Sequence, residues 1–145
     1  MSGPTSETPP QTARARRAPG FLSLWLPPVL YLAAIFVISS EPQPFIAPPA
    51  WIWESDKIAH FGAYAVLGAL LCRAYLGSGL AGSAAFWLAL LTASLYGASD
   101  EWHQSFVPNR SADPADWLAD SIGAALGAAL FLLVLRALDR RASMP

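Results

Sequence analysis

Four apolar blocks organise the chain, at positions 21–39, 58–76, 82–99 and 117–135, separated by segments that hold most of the charged residues. Each block is close to the ~20 residues that a helix needs to cross ~30 Å of hydrocarbon. None shows the strict alternation of a barrel strand, and a backbone in lipid must satisfy its own hydrogen bonds. The pattern therefore predicts four transmembrane helices. Pro27 and Pro28 sit early in the first block and predict either a kink there or a helix start near Leu26. Residues 1–20 are rich in Pro, Ser, Thr and Arg with almost nothing to bury, which predicts a disordered tail ahead of a domain at 21–138. Residues 139–145 form a second short tail. A basic region before an apolar run also describes a signal peptide, but this run exceeds the ~7–15 residues usual for that role and no A-x-A site follows it.

Composition supports lipid as the solvent. The 145 residues are 54% hydrophobic and 13% charged, about half the charge of an ordinary soluble domain, which averages ~25%. A net charge of −1 offers no electrostatic footprint for nucleic acid. The single cysteine, Cys72, excludes an intrachain disulfide and a cysteine-based zinc knuckle, and reads as a small packed residue.

The positions of the charges say more than their sum. With the N-terminus inside, Arg14, Arg16, Arg17, Arg73, Arg136, Arg140 and Arg141 fall on the cytoplasmic side, leaving only Lys57 and Arg110 outside. The positive-inside rule thus predicts an all-α, integral membrane four-helix bundle with N- and C-termini cytoplasmic. The loops at 41–56 and 100–116 then face outward. Trp51, Trp53, Trp102 and Trp117 fall on that boundary as an aromatic belt.

Most of the acids and both histidines gather at this predicted outer face. Asp56, His60 and Tyr64 are spaced i, i+4, i+8 and share a helix face. Tyr96, Asp100, His103 and Gln104 share another, with Glu101 pointing further round. Asp113 before Pro114 suits an N-cap, and Asp116 and Asp120 lie i, i+4 on the last helix. Asp56, Asp100, Glu101, Asp113, Asp116 and Asp120 are six acids against the two bases Lys57 and Arg110, an excess of four. Acids crowded into a partly dry site share protons, bind a cation or spread toward water. Ionisable groups inside membrane helices mark functional sites by default, the plainer alternative being ion pairs that pin helix ends. There is no H-E-x-x-H spacing, nucleophile elbow or phosphate-cradling glycine loop, so no catalytic residue, metal or cofactor is assigned. Gly123 and Gly127, four apart and flanked by Ala, offer a smooth face for close packing within the chain or, as a lesser alternative, for a homodimer.

Ser55-Asp56-Lys57, His60-Phe61, Tyr64 and Leu67-Gly68 resemble the first motif of the VanZ-like membrane proteins. Asp100-Glu101, Gln104, Phe106, Pro108 and Arg110, followed by Asp116, Asp120 and Gly123, resemble the second. The resemblance spans roughly residues 56–127, about half the chain. Asp120 stands where many relatives carry Asn. The resemblance implies a small multi-pass protein of the bacterial inner (cytoplasmic) membrane, from a family named for a member associated with teicoplanin resistance. The expected role is an outer polar pocket that engages an amphipathic envelope ligand, lipid-linked or glycopeptide. In this reading Arg110 pairs with phosphate or carboxylate, His60 or His103 shuttles protons, and Glu101 or Asp116 acts as base or cation ligand. The alternatives are an enzyme acting on a lipid-linked envelope intermediate and a purely structural bundle.

Overall fold

A computed structural model describes residues 20–42 and 50–144, with the side chains of residues 50–55 excepted. The predicted N-terminal tail, with Arg14, Arg16 and Arg17, and the predicted belt side chains Trp51 and Trp53 lie outside the described residues. The fold is all-α. Helices α1 (Phe21–Ser39), α2 (Ala50–Gly77), α3 (Gly82–Gln104) and α4 (Pro114–Ala142) run alternately up and down. The first helix has the predicted bounds. The other three extend beyond their apolar blocks, so Asp56, Asp100, Glu101 and Asp116 stand on helices, as their shared faces require, and the connecting loops are shorter than 41–56 and 100–116.

The helix start near Leu26 is not observed, because α1 begins at Phe21 and runs through both prolines. Pro27 has no N–H for the carbonyl of Ser23, four residues before it. The Arg73 guanidinium supplies that bond instead, with Nη1 and Nη2 both 3.3 Å from the Ser23 carbonyl oxygen. The same end of the bundle is tied by Trp25, whose Nε1 donates to Ser78 Oγ at 3.2 Å and whose ring meets Tyr75 edge-on. Further along α1, the Tyr96 hydroxyl donates to the Leu32 carbonyl at 2.7 Å.

The interior is built from small residues. Ala85, Ala89 and Ala93 on α3 and Ala124 and Ala128 on α4 are fully buried, around a core that includes Tyr64, Leu67, Leu71 and Cys72. The large side chains face outward: Leu22, Leu30 and Ile38 on α1, Leu91 and Leu95 on α3, and Leu118, Ile122, Leu130 and Leu133 on α4 are all exposed. Water would not tolerate such a surface, whereas lipid favours it, and small residues let helices approach without a hydrophobic drive between them. Helices α1, α2 and α4 are long and apolar enough to cross a membrane. Helix α3 is long enough but falls short in apolarity among the described residues. Its hydroxyls find partners on its neighbours: Tyr75 Oη lies 2.9 Å from Thr92 Oγ1, and Ser94 Oγ lies 2.8 Å from Ser121 Oγ.

Helices α2 and α4 make the closest contact. A Cβ at Gly123 would collide with the Phe61 carbonyl, one at Gly127 with the Ala65 carbonyl, and one at Gly68 with the backbone of Ala124. The Gly123/Gly127 face is therefore covered by α2 of the same chain. That overturns its use as a homodimer face, since no backbone remains free there to meet a second copy.

Gly123→Val or Gly127→Val must push these backbones apart, at about 1–3 kcal/mol or more. The melting temperature of detergent-solubilised protein is expected to fall by about 5 °C or more. Gly62, with open space around its Cβ position, is the control: Gly62→Ala should leave stability unchanged or raise it by about 0.5–1 kcal/mol.

Candidate functional site

The contact between α2 and α4 sets the second and third turns of α2 against the start of α4, and the C-terminal turns of α1 and α3 close the same end. Asp113 is the N-cap of α4, as its place before Pro114 predicts, and its Oδ1 accepts from the Ala115 amide at 2.9 Å. Its other oxygen accepts from Lys57 Nζ at 2.7 Å, and the same ammonium reaches Asp116 Oδ1 at 2.8 Å. Lys57 and the Ala115 amide hold the Asp113 carboxyl below the usual carboxylate range. The stability this carries is present at neutral pH and lost as pH falls through that lowered value.

A second set of bonds joins α1, α3 and the loop after α3. Ser39 Oγ donates to Asp100 Oδ1 at 2.6 Å, Gln104 Nε2 donates to Asp100 Oδ2 at 3.0 Å, and Arg110 Nη1 donates to Gln104 Oε1 at 3.0 Å. Arg110 Nε then closes the circuit on the Glu41 carbonyl at 3.0 Å. The guanidinium is thus held by two neutral oxygens, and among the described residues it has no carboxylate within salt-bridge distance. Asn109, at φ 62°, turns the chain just before it.

Glu101, further round the helix than Asp100 and Gln104, turns toward the start of α4. It is buried, and its Oε2 accepts from the Asp113 amide at 2.8 Å, so one helix end caps the start of the next. His60 and Asp120 pair across α2 and α4, with Nδ1 3.0 Å from Oδ1. Asp120 is fully buried. Its second oxygen and the Tyr64 hydroxyl are buried without a hydrogen-bond partner among the described residues. Gly97 on α3 leaves room for that oxygen, since a Cβ there would lie 2.9 Å from it. His103 is set apart. Its Nε2 lies 3.0 Å from Ser40 Oγ and its ring rests on Phe36, at the end of α1.

A cavity of about 150 Å³ lies among these groups. Ile35, Ile38, Ala59 and Ala63 form an apolar wall, and Ser39, Asp56, His60, Tyr64, Asp100, Gln104 and Arg110 supply polar groups. A second recess of about 170 Å³, more polar and lined by Ser111, Asp113 and Asp116, shares Asp56, Gln104 and Arg110 with it. Ser39, Ile35 and Ile38 were not legible as site residues, because nothing in the sequence fixes which face of α1 meets the bundle. Gly97 had no signal at all. Trp102 and Trp117 are exposed at this polar end, where a belt was expected.

A bundle with small residues inside, large apolar residues outside and its acids gathered at one end is a helical membrane protein with a polar end site. Its family follows from the sequence: the VanZ/LLP1 family pattern matches residues 11–135, and the chain belongs to that family. The match extends beyond the two motifs and takes in the first helix. Comparison with curated proteins finds no match, and neither does comparison with solved structures.

Lys57→Met removes the cation that joins Asp113 and Asp116. The expected loss is about 1 kcal/mol at pH 7, small because water screens the half-exposed Lys57–Asp113 contact. The gap between wild type and variant should narrow as pH is lowered, in thermal melts at a series of pH values. A gap that stays constant down to the acid limit would contradict the ion pair.

Proposed function

We propose that the protein is a multi-pass component of the bacterial inner membrane whose polar end faces outward and engages an amphipathic envelope ligand. The observation that carries this reading is the cavity beside α1, apolar along Ile35, Ile38, Ala59 and Ala63 and polar opposite. A chain can lie against the first wall while a head group meets the second. Arg110 favours an anionic head, because its planar fork is suited to phosphate or carboxylate and, among the described residues, is bonded to neutral oxygens. The outward orientation draws on the basic residues. Arg73, Arg136, Arg140 and Arg141 stand at the end opposite the cluster, and Arg14, Arg16 and Arg17 precede α1.

Teicoplanin resistance belongs to the family's namesake, and a lipid-linked or glycopeptide ligand is the corresponding proposal for this chain. Catalysis on a lipid-linked intermediate is the second reading. The His60–Asp120 pair favours it, since a histidine lining the cavity and oriented by a buried carboxylate has the form of a general base.

Native mass spectrometry of gently extracted protein, incubated with a polyprenyl phosphate or with a zwitterionic phospholipid, tests the binding reading. The polyprenyl phosphate should be retained, and Arg110→Ala should weaken it roughly tenfold or more while the helical circular dichroism stays intact. Equal retention of both lipids, or no effect of Arg110→Ala, would overturn the reading. Release of inorganic phosphate from that lipid, abolished by His60→Ala, would decide for the enzyme. The orientation has its own check: a reporter fused after Pro145 should be active only in its cytoplasmic form.

A further inference from the structure

We infer that His60, Glu101 and Asp120 together hold a divalent transition-metal ion at the junction of α2, α3 and α4. The inference is independent of the envelope-ligand reading. Each of the three residues offers one ligating atom, and these atoms all lie within 4.8 Å of one another. That spacing suits donors around a single ion bound at ~2.0–2.2 Å. The three come from separate helices whose packing is fixed elsewhere, so the arrangement does not depend on a loop.

Acid crowding alone would not point to a metal, and the orphaned atoms are what do. Asp120 is fully buried, and its Oδ2 has no hydrogen-bond donor among the described residues. The Tyr64 hydroxyl, on a side chain 1% exposed, is in the same condition. Both groups border the bare face of Gly97: a Cβ there would be 2.9 Å from Asp120 Oδ2 and 3.3 Å from Tyr64 Cε1. A buried carboxylate oxygen without a donor is costly, and a cation removes that cost directly.

No fixed cation among the described residues does so. Lys57 is taken by Asp113 and Asp116, and Arg110 by the Glu41 carbonyl and Gln104. Only His60 reaches Asp120, through Nδ1 and Oδ1 at 3.0 Å. His60 presents Nδ1 to the Asp120 carboxylate, so the ion enters between them, with the imidazole protonated at Nε2 and its Nδ1 lone pair directed at the ion. The ion takes the place of the direct His60–Asp120 hydrogen bond and neutralises the carboxylate whose second oxygen lacks a donor among the described residues.

Two carboxylates and one imidazole suit Zn²⁺ or Mn²⁺, while Mg²⁺ prefers oxygen ligands and keeps its waters. A second trio, Asp56, His60 and Asp116, also comes together. Its Asp116 already has a cation in Lys57, whereas Glu101 accepts from neutral amides and Asp120 keeps an oxygen without a donor among the described residues, so the buried trio is the assigned one.

The test uses the full chain in detergent, stripped with a chelator and then titrated with Zn²⁺, Mn²⁺ or Mg²⁺ alone. Metal content after gel filtration should reach about one Zn²⁺ or Mn²⁺ per chain, with Mg²⁺ ineffective. Glu101→Gln and Asp120→Asn should each weaken binding roughly tenfold to a hundredfold, and Asp56→Asn should leave it unchanged. Substitution with Co²⁺ in the wild-type chain gives a readout that needs no variant: the visible bands of an imidazole–carboxylate site are expected. No retained metal and no Co²⁺ bands would overturn the inference and leave a buried proton on Asp120 as the account of the orphaned oxygen. Loss of binding in Asp56→Asn with Glu101→Gln unaffected would overturn it in favour of the other trio.

Discussion

Where Gly123 and Gly127 of α4 lie against the carbonyls of Phe61 and Ala65, no side chain separates the two helices. Dispersion between touching backbones replaces the hydrophobic drive that is absent in lipid. Because the two helices are in close register there, the second and third turns of α2 are aligned with the start of α4. Asp56, Lys57 and His60 on one meet Asp113, Asp116 and Asp120 on the other. The Lys57 bridge, the His60–Asp120 pair and both cavities all hang from that contact. A bulkier residue at Gly127 would therefore act well beyond its own turn.

Helix α3 is the exception among the four, and its position accounts for its composition. It lies against both α2 and α4, through a stripe of Ala85, Ala89, Ala93 and Gly97. Its Thr92 and Ser94 are bonded to Tyr75 and Ser121, so a less apolar helix is tolerated with its polar groups satisfied. At Gly97 the stripe also makes room for Asp120. Small residues on this helix thus bring the bundle together and admit a buried carboxylate where a side chain would exclude it.

The charged end combines two kinds of polar group. Asp113 and Gln104 do structural work, a cap and a link between Asp100 and Arg110, and Glu101 spends one oxygen on the next helix start. Among the described residues, Asp56, Arg110, Asp120 Oδ2 and the Tyr64 hydroxyl retain unmet charge or hydrogen-bonding capacity. A purely structural cluster would spend its polar groups on one another, because an unsatisfied group in a dry site is costly. That these four groups are left over beside a cavity with one apolar wall is the physical basis for reading the end as a site.

The sequence by itself determined the four helices, the bounds of α1, the cap at Asp113 and the set of ionisable residues at one end. All of these follow from local rules: apolar run length, proline after an acid, and the 3.6-residue repeat that puts Asp56, His60 and Tyr64 on one face. Local rules do not fix the rotation of one helix about its axis relative to another. For that reason the burial of Glu101, the separation of His103, the contributions of Ser39 and Gly97, and the capture of the Gly123/Gly127 face by α2 were decided only in the tertiary structure. The same holds for the opening feature of the site. The acid excess could be counted along the chain, but which acids are paired by Lys57 and which oxygen is left bare depends on how three helix ends converge in space.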